Sequence, residues 1–179
     1  KNTGGDVGIS AKKILQIKPV KNKDFETFEC SINNIVKQCT ETLTLVCLYR
    51  LDYESSSTFS KEFSMLLEIF NASGRKYIIT GDFNIHVDVY TNALAIKLKE
   101  IISLFNLKQW VNSPTHHLGH TLDLLITPDS DVDISNILVN DISLSDHFMV
   151  SFTMKIDAKK VYYTDICYRN FKAVDNELM

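Results

Sequence analysis

Ile78-Ile79-Thr80-Gly81-Asp82-Phe83-Asn84 begins as a strand and ends as a polar site. Two consecutive β-branched residues behind Tyr77 suit a short buried strand, and a glycine breaks the pattern just before an acid and an amide. Asp82 and Asn84 are two positions apart, so on an extended chain they project to the same side. There a carboxylate and an amide could hold one water and one phosphate oxygen. The other reading is an Asx turn, in which both side chains only satisfy local backbone. Taken alone, the stretch favours the turn.

Upstream, Ser55 to Ser57 offer N-caps for a helix with Phe59, Phe63, Leu66, Leu67 and Phe70 along one stripe, stopping near Gly74. Before it, Thr42 to Tyr49 reads as a strand with apolar residues on both faces, hence a central one. Phe25 to Ile35 is its neighbour across a polar turn around Lys37 to Glu41. A strand, a crossover helix and a strand therefore lead directly into Gly81–Asn84. Tyr49 closes the central strand just before Arg50; taken alone, it reads as core with its hydroxyl at the rim. Further upstream, Gly4-Gly5-Asp6-Val7-Gly8-Ile9 suits a tight entry into a strand, and Lys12 to Val20 looks extended with Pro19 inside it. A phosphate-cradling glycine loop would have to open a helix instead.

Downstream, Thr91 or Asn92 can cap a second helix carrying Leu94, Leu98, Ile101, Ile102 and Phe105 and ending at Asn106. A short segment from Lys108 to Val111 precedes a polar loop, 112–120, that holds three of the five histidines. His116, His117 and His120 lack the cysteines or second histidine cluster that a closed zinc site needs. The next strand puts Leu122, Leu124 and Ile126 on the face away from Asp123, and Ile137 to Val139 forms another short strand. Ser145-Asp146-His147 leads into a strand in which Phe148, Val150, Phe152, Met154 and Ile156 alternate with Met149, Ser151, Thr153 and Lys155. From Asp157 the pattern is lost, and Lys159-Lys160 with Tyr162-Tyr163 read as a linker. Residues 1–156 are thus expected to form the domain and 157–179 a tail.

Composition bounds the function classes. A chain of 179 residues, 45% hydrophobic and 23% charged, suits one soluble domain with a real core. No apolar run is long enough to span a bilayer and no signal-peptide layout opens the chain. An intracellular protein, nuclear or cytoplasmic and without a membrane partner, is expected. Cys30, Cys39, Cys47 and Cys167 show no metal-ligand spacing and read as reduced, buried thiols. A net charge of −3 weighs against a generic nucleic-acid binder, although lysines cluster before residue 24.

Gly81-Asp82-Phe83-Asn84, Gly119-His120-Thr121-Leu122-Asp123 and Ser145-Asp146-His147, in this order, resemble the endonuclease/exonuclease/phosphatase superfamily, and most closely the endonuclease domain of non-LTR, LINE-like retrotransposons. Each stretch alone is weakly specific; the ordered set is specific. The resemblance implies an α/β fold of two mixed β-sheets packed face to face and flanked by helices, a DNase I-like four-layer sandwich. It also implies incompleteness at the N-terminus, because in the family the Gly-Gly-X-Val stretch lies well inside the domain. The implied activity is metal-dependent phosphodiester hydrolysis by a DNA-nicking endonuclease, with a reverse transcriptase following. Two alternatives stay open: a catalytically inactive remnant acting as a binding or structural module, and a small-molecule phosphoesterase.

By the same resemblance, Asp82 orients or deprotonates the attacking water, Asn84 donates to the phosphate and Tyr49 supports it. His147 meets the scissile phosphate, Asp123 orients His147, and Asp146 contributes to a Mg²⁺ (or Mn²⁺) site. His120, Thr121 and Arg50 would contact the substrate at the rim. The family's principal metal-binding Asn and Glu lie upstream of the Gly-Gly-X-Val stretch, and only three residues precede Gly4. The metal site is therefore expected to be incomplete. One sheet edge is expected to be open to the missing N-terminal portion or to a second chain.

Overall fold

The computed structural model describes residues 7–13, 15–21, 23–36, 43–51, 55–129 and 132–155. The expected strand entry at Gly4–Asp6, the polar turn before Thr42, Cys39, Cys167 and the tail lie outside them. Val7–Ile9 belongs to no strand. The described residues form eight strands and two helices: β1 (Gln16–Pro19), β2 (Phe28–Val36), β3 (Leu43–Arg50), α1 (Ser56–Ser73), β4 (Tyr77–Asp82), α2 (Ala93–Leu104), β5 (Leu107–Gln109), β6 (Asp123–Pro128), β7 (Asp133–Asn140) and β8 (Met149–Lys155). The larger sheet has the order β1-β2-β3-β4-β6-β5, and β7 and β8 form the smaller one. Parallel pairing of β3 with β4 follows from the α1 crossover; the other neighbours pair antiparallel.

Ser55 is the N-cap of α1, but no side-chain hydrogen bond caps that end. Gly74 ends α1 in the left-handed conformation at φ 61°, and the Asn92 carboxamide accepts the N–H groups of Leu94 and Ala95 at the start of α2. The α1 stripe, Phe59, Phe63, Leu66, Leu67 and Phe70, is buried as its spacing predicts. It packs with Leu98 and Ile101 of α2 and with Val46, Leu48, Ile79, Leu124 and Ile126 on one face of the larger sheet. On the opposite face Leu43, Ile78, Leu125 and Val111 meet Val132 and Ile134, with Val150, Phe152 and Met154 of the hairpin partly buried against them. Helices, six-stranded sheet and two-stranded sheet are thus the successive layers, and the expected α/β arrangement of facing sheets is what the chain adopts. Central strands β3, β4 and β6 alternate between the two cores, which is why they read as apolar on both faces.

Cys30 and Cys47 are half-buried free thiols, and burial pushes the Cys47 thiol up from its ordinary value. Among the described residues no helix is long and apolar enough to cross a membrane.

Candidate active site

The site forms where β4 and β6 start or stop on the hairpin side of the larger sheet. Gly81 pairs with Leu48 of β3, and a Cβ at Gly81 would lie 2.0 Å from the Leu48 carbonyl oxygen. Its φ of 138° is likewise one that only glycine adopts without strain, so the residue lets two backbones meet where the functional strand ends. Phe83, fully buried, packs edge-on against Phe63 and Phe59 in the helix-side core. Anchored on that side, it leaves Asp82 facing the other. Asp82 pairs with Asp123 across β4 and β6 and with Tyr49 across β3 and β4, so the three share the face that the hairpin covers.

Two readings of Asp82 turn out to describe its two oxygens. Oδ1 accepts the Asn84 N–H at 2.9 Å, which is the Asx turn. Oδ2 faces His147 Nε2 at 3.8 Å, a charge contact too long for a hydrogen bond. The Asn84 side chain donates to the Arg50 carbonyl oxygen at 2.7 Å, and its backbone takes φ 48°. Its expected phosphate contact thus begins from an amide that also braces the β3 end.

His147 stands on the loop before β8. Ser145 shapes that loop, its hydroxyl accepting the His147 N–H and donating to the His147 carbonyl, each at 3.1 Å. The backbone there joins the histidine-rich loop: His116 and His147 form an isolated antiparallel bridge, Phe148 N–H donates to Thr115 O at 2.7 Å, and His117 N–H donates to Asp146 O at 2.9 Å. Thr115, fully buried, accepts the N–H groups of both Leu122 and Asp123 on its hydroxyl oxygen at 3.0 Å. This brings His147 Nδ1 to 2.9 Å from Asp123 Oδ2. An ionised carboxylate only accepts, so Nδ1 carries the proton and Nε2 is the reactive end.

The charges explain the titration. Burial works to lower the pKa of His147, but the hydrogen bond and charge of Asp123, then the charges of Asp82 and Asp146, outweigh it and hold the imidazole above its ordinary value. Asp82 is pushed above the ordinary carboxylate range by burial and by the charge of Asp123, against the Asn84 N–H and the nearby imidazoles. Asp146 is exposed and held low by its own N–H and by His116.

His116 is the residue that reading the sequence for zinc missed. Its Nε2 lies 3.3 Å from Asp146 Oδ2, and its Nδ1 accepts the Leu118 N–H, so Nε2 is the protonated nitrogen that donates to Asp146. The backbone bridge to His147 is what places it, and no residue spacing announces such a bridge.

The three residues expected to contact the substrate are each engaged within the chain. Arg50, 3% exposed, lies on the helix face over the Phe59 ring, and its guanidinium donates to the Asn84 carbonyl oxygen at 3.2 Å. One residue beyond Tyr49, alternation points it to the other side of the strand. Thr121 is 5% exposed and its hydroxyl donates to Ser113 O. His120 is half-buried, paired through Nδ1 with Asp88 Oδ2 at 2.9 Å and stacked on His86. Asp88 Oδ1 also accepts the Thr121 N–H, so it ties down the loop leading to Asp123.

Two sets of donor atoms lie within 4.8 Å of one another and could hold a metal ion: Asp82, Asp123 and His147, and His116, Asp146 and His147. Three carboxylates surround the two imidazoles, and their charges help to hold the His147 imidazole above its ordinary value. That imbalance fits a divalent cation. With His116 Nδ1 occupied and His147 Nδ1 protonated, the hard donors are the carboxylate oxygens, those of Asp82 and Asp123 in the first set and of Asp146 in the second.

A helix-backed mixed sheet carrying a carboxylate–imidazole pair under a second sheet defines the class: the fold is that of the endonuclease/exonuclease/phosphatase superfamily. A family model described as endonuclease-reverse transcriptase matches residues 43–151, and the chain belongs to that family. Among solved structures it is similar to the endonuclease domain of TRAS1, a telomere-specific non-LTR retrotransposon, at 15% identity and TM-score 0.61, covering 77% of this chain and 66% of that one. It is similar to the human Nocturnin catalytic domain with bound sulfate at 16% identity and TM-score 0.55, covering 78% and 60%. A third likeness is to a mannosyl-6-phosphatase of Bacteroides thetaiotaomicron, at 14% identity and TM-score 0.51, covering 71% and 57%. The chain therefore spans under two thirds of the length of each. No curated protein sequence matches it.

Proposed function

We propose that the chain carries part of a metal-dependent phosphodiesterase that nicks DNA. The observation that carries this reading is His147 held between Asp123 at 2.9 Å and Asp82 at 3.8 Å. An imidazole with one nitrogen pinned by a carboxylate presents the other in a fixed direction, and the hydrogen bond and charge of Asp123, with the charges of Asp82 and Asp146, favour its protonated form. His147 Nε2–H then donates to a phosphoryl oxygen as negative charge develops there. Asp82, whose raised pKa makes it a better proton acceptor than an ordinary aspartate, orients the attacking water and takes its proton through Oδ2. Tyr49 and the Asn84 carboxamide stand at the strand ends beside this pair. The Arg50–Asn84 brace keeps the amide in place, which is a positioning part in place of the expected substrate contact.

A bound Mg²⁺ or Mn²⁺, held through Asp146, would neutralise charge on the phosphoryl oxygens. Family membership and the likeness to the TRAS1 domain favour DNA over a small phosphoester as substrate. The test is relaxation of supercoiled plasmid in Mg²⁺ by the chain and by His147→Ala and Asp82→Ala. Mg²⁺-dependent nicking that both substitutions abolish is the expected result. A folded chain that never nicks would leave the inactive remnant as the better reading.

A further inference from the structure

On the helix side of the larger sheet, next to the Asp88 turn, lies a cavity of about 520 Å³ that the hydrolysis just described does not use. Leu98, Ile102 and Leu124 contribute its apolar lining, and Asp88, Tyr90 and Lys99 its polar part. The concavity continues past Tyr90 and Lys99 along the outer face of α2. Tyr90 is 85% exposed, a large aromatic ring left in water, and the Lys99 ammonium sits 5.2 Å from its centroid. Lys97, two residues away, is already paired with Glu100, whereas the Lys99 charge is carried over a ring. The cavity shares Asp88 and Thr121 with the loop that delivers Asp123 to His147, and the exposed His86 stacks on His120 beside them.

We propose that this cavity is a subsite for a nucleotide unit of an unpaired nucleic-acid strand, its base stacked on Tyr90 and its phosphate met by Lys99. The proposal rests on the phosphodiesterase reading and extends the bound strand from the His147 pocket across the His86–His120 stack. A flat ring with apolar faces and a charged backbone is the ligand that an exposed aromatic, a neighbouring ammonium and an apolar cavity jointly suit. A purely apolar side chain would use the floor and bring no anion to the ammonium. The volume lies in the range of small-molecule pockets and exceeds what one base needs.

The test is fluorescence anisotropy of a short fluorescein-labelled oligothymidylate titrated with the full chain. Tyr90→Ala should weaken binding about tenfold, within the range that one base stacked on an aromatic ring supplies. Lys99→Ala should reduce the slope of log affinity against log salt by about 0.7, the share of one phosphate contact on a single strand. Lys61→Ala, on the exposed side of α1, serves as the charge-matched control and should leave both unchanged. Binding by the Tyr90 and Lys99 variants that matches the Lys61 variant, or a parent chain that does not bind the oligonucleotide, overturns the subsite and leaves the cavity to another occupant. Hydrolysis of bis(p-nitrophenyl) phosphate by the parent chain and its loss in His147→Ala are read separately. Failure there counts against the catalytic reading and not against the cavity.

Discussion

The two faces of the larger sheet are built to different standards. On the helix face, Phe28, Phe59, Phe63 and Phe83 form a connected aromatic cluster with four of its ring pairs between 5.6 and 6.5 Å, and each ring is at most 1% exposed. On the hairpin face, Val150, Phe152 and Met154 stay partly exposed over a smaller core. Asp82, Asp123 and Tyr49 all belong to the second face. Chemistry needs carboxylates that keep some access to water, and a face closed to core density would leave none. Stability is therefore concentrated away from the proposed site, with Phe83 as the residue that joins the two.

The largest effect should come from the closed face. Phe63→Ala is expected to cost about 3–5 kcal/mol through lost burial and the cavity left behind, seen as a fall of about 10 °C or more in Tm. Val150→Ala, the matching truncation on the hairpin, should cost about 1 kcal/mol because its side chain is only partly removed from water. Equal losses in thermal unfolding would break the comparison.

On the open face the same scale of free energy should appear as rate. Asp123→Asn keeps the shape but no longer holds the His147 imidazole by charge, so phosphodiester hydrolysis should drop by roughly 10²–10⁴-fold while Tm hardly moves. Removing the group that does most to raise the His147 pKa also moves the alkaline limb of the rate profile to lower pH. A kcat/KM profile over pH checks both, and an unshifted limb would detach His147 from that limb.

Between these lies the bridge that assembles the site. Thr115→Val is nearly isosteric but takes the acceptor away from two N–H groups in the loop entering β6, and about 2 kcal/mol should be lost. Hydrogen exchange should show the Leu122 and Asp123 amides losing protection before the rest of β6. Protection that stays uniform along β6 would assign the loop to other contacts.

Thr115 also marks where sequence reasoning ran out. Periodicity located α1, α2, β3, β4 and β6 because each buries a face with its own repeat, and the motif order brought Asp82, Asp123 and His147 together. It missed the inward turn of Arg50 and Thr121, because an exposed-type residue beside a motif carries no mark of which face it takes. The roles of His116, Asp88 and Thr115 arise from hydrogen bonds between residues about 7 to 33 positions apart, which no local pattern encodes. The same holds for β7. Only Ile137 to Val139 stood out, although the strand runs from Asp133 to Asn140 with a register shift between Ser135 and Leu138 that interrupts its alternation.

The smallest effect has the opposite sign. The raised pKa of Asp82 means that the folded chain prefers this carboxyl protonated. Below its unfolded pKa, about 3.9, both states carry the proton and folding is not penalised; as pH rises through the folded value the penalty becomes complete. Asn at this position keeps an oxygen for the Asn84 N–H and has no charge to desolvate. Asp82→Asn should therefore raise Tm by about 2–4 °C at neutral pH, as ~1 kcal/mol does in a chain of this size, while abolishing hydrolysis. Its advantage should shrink as pH falls toward the ordinary carboxylate range. It should be fullest above the His147 folded pKa, where the imidazolium no longer attracts Asp82. A variant that is less stable than the parent across this window would mean that Asp82 is held by its partners more strongly than burial opposes it, and that the open face trades no stability for chemistry.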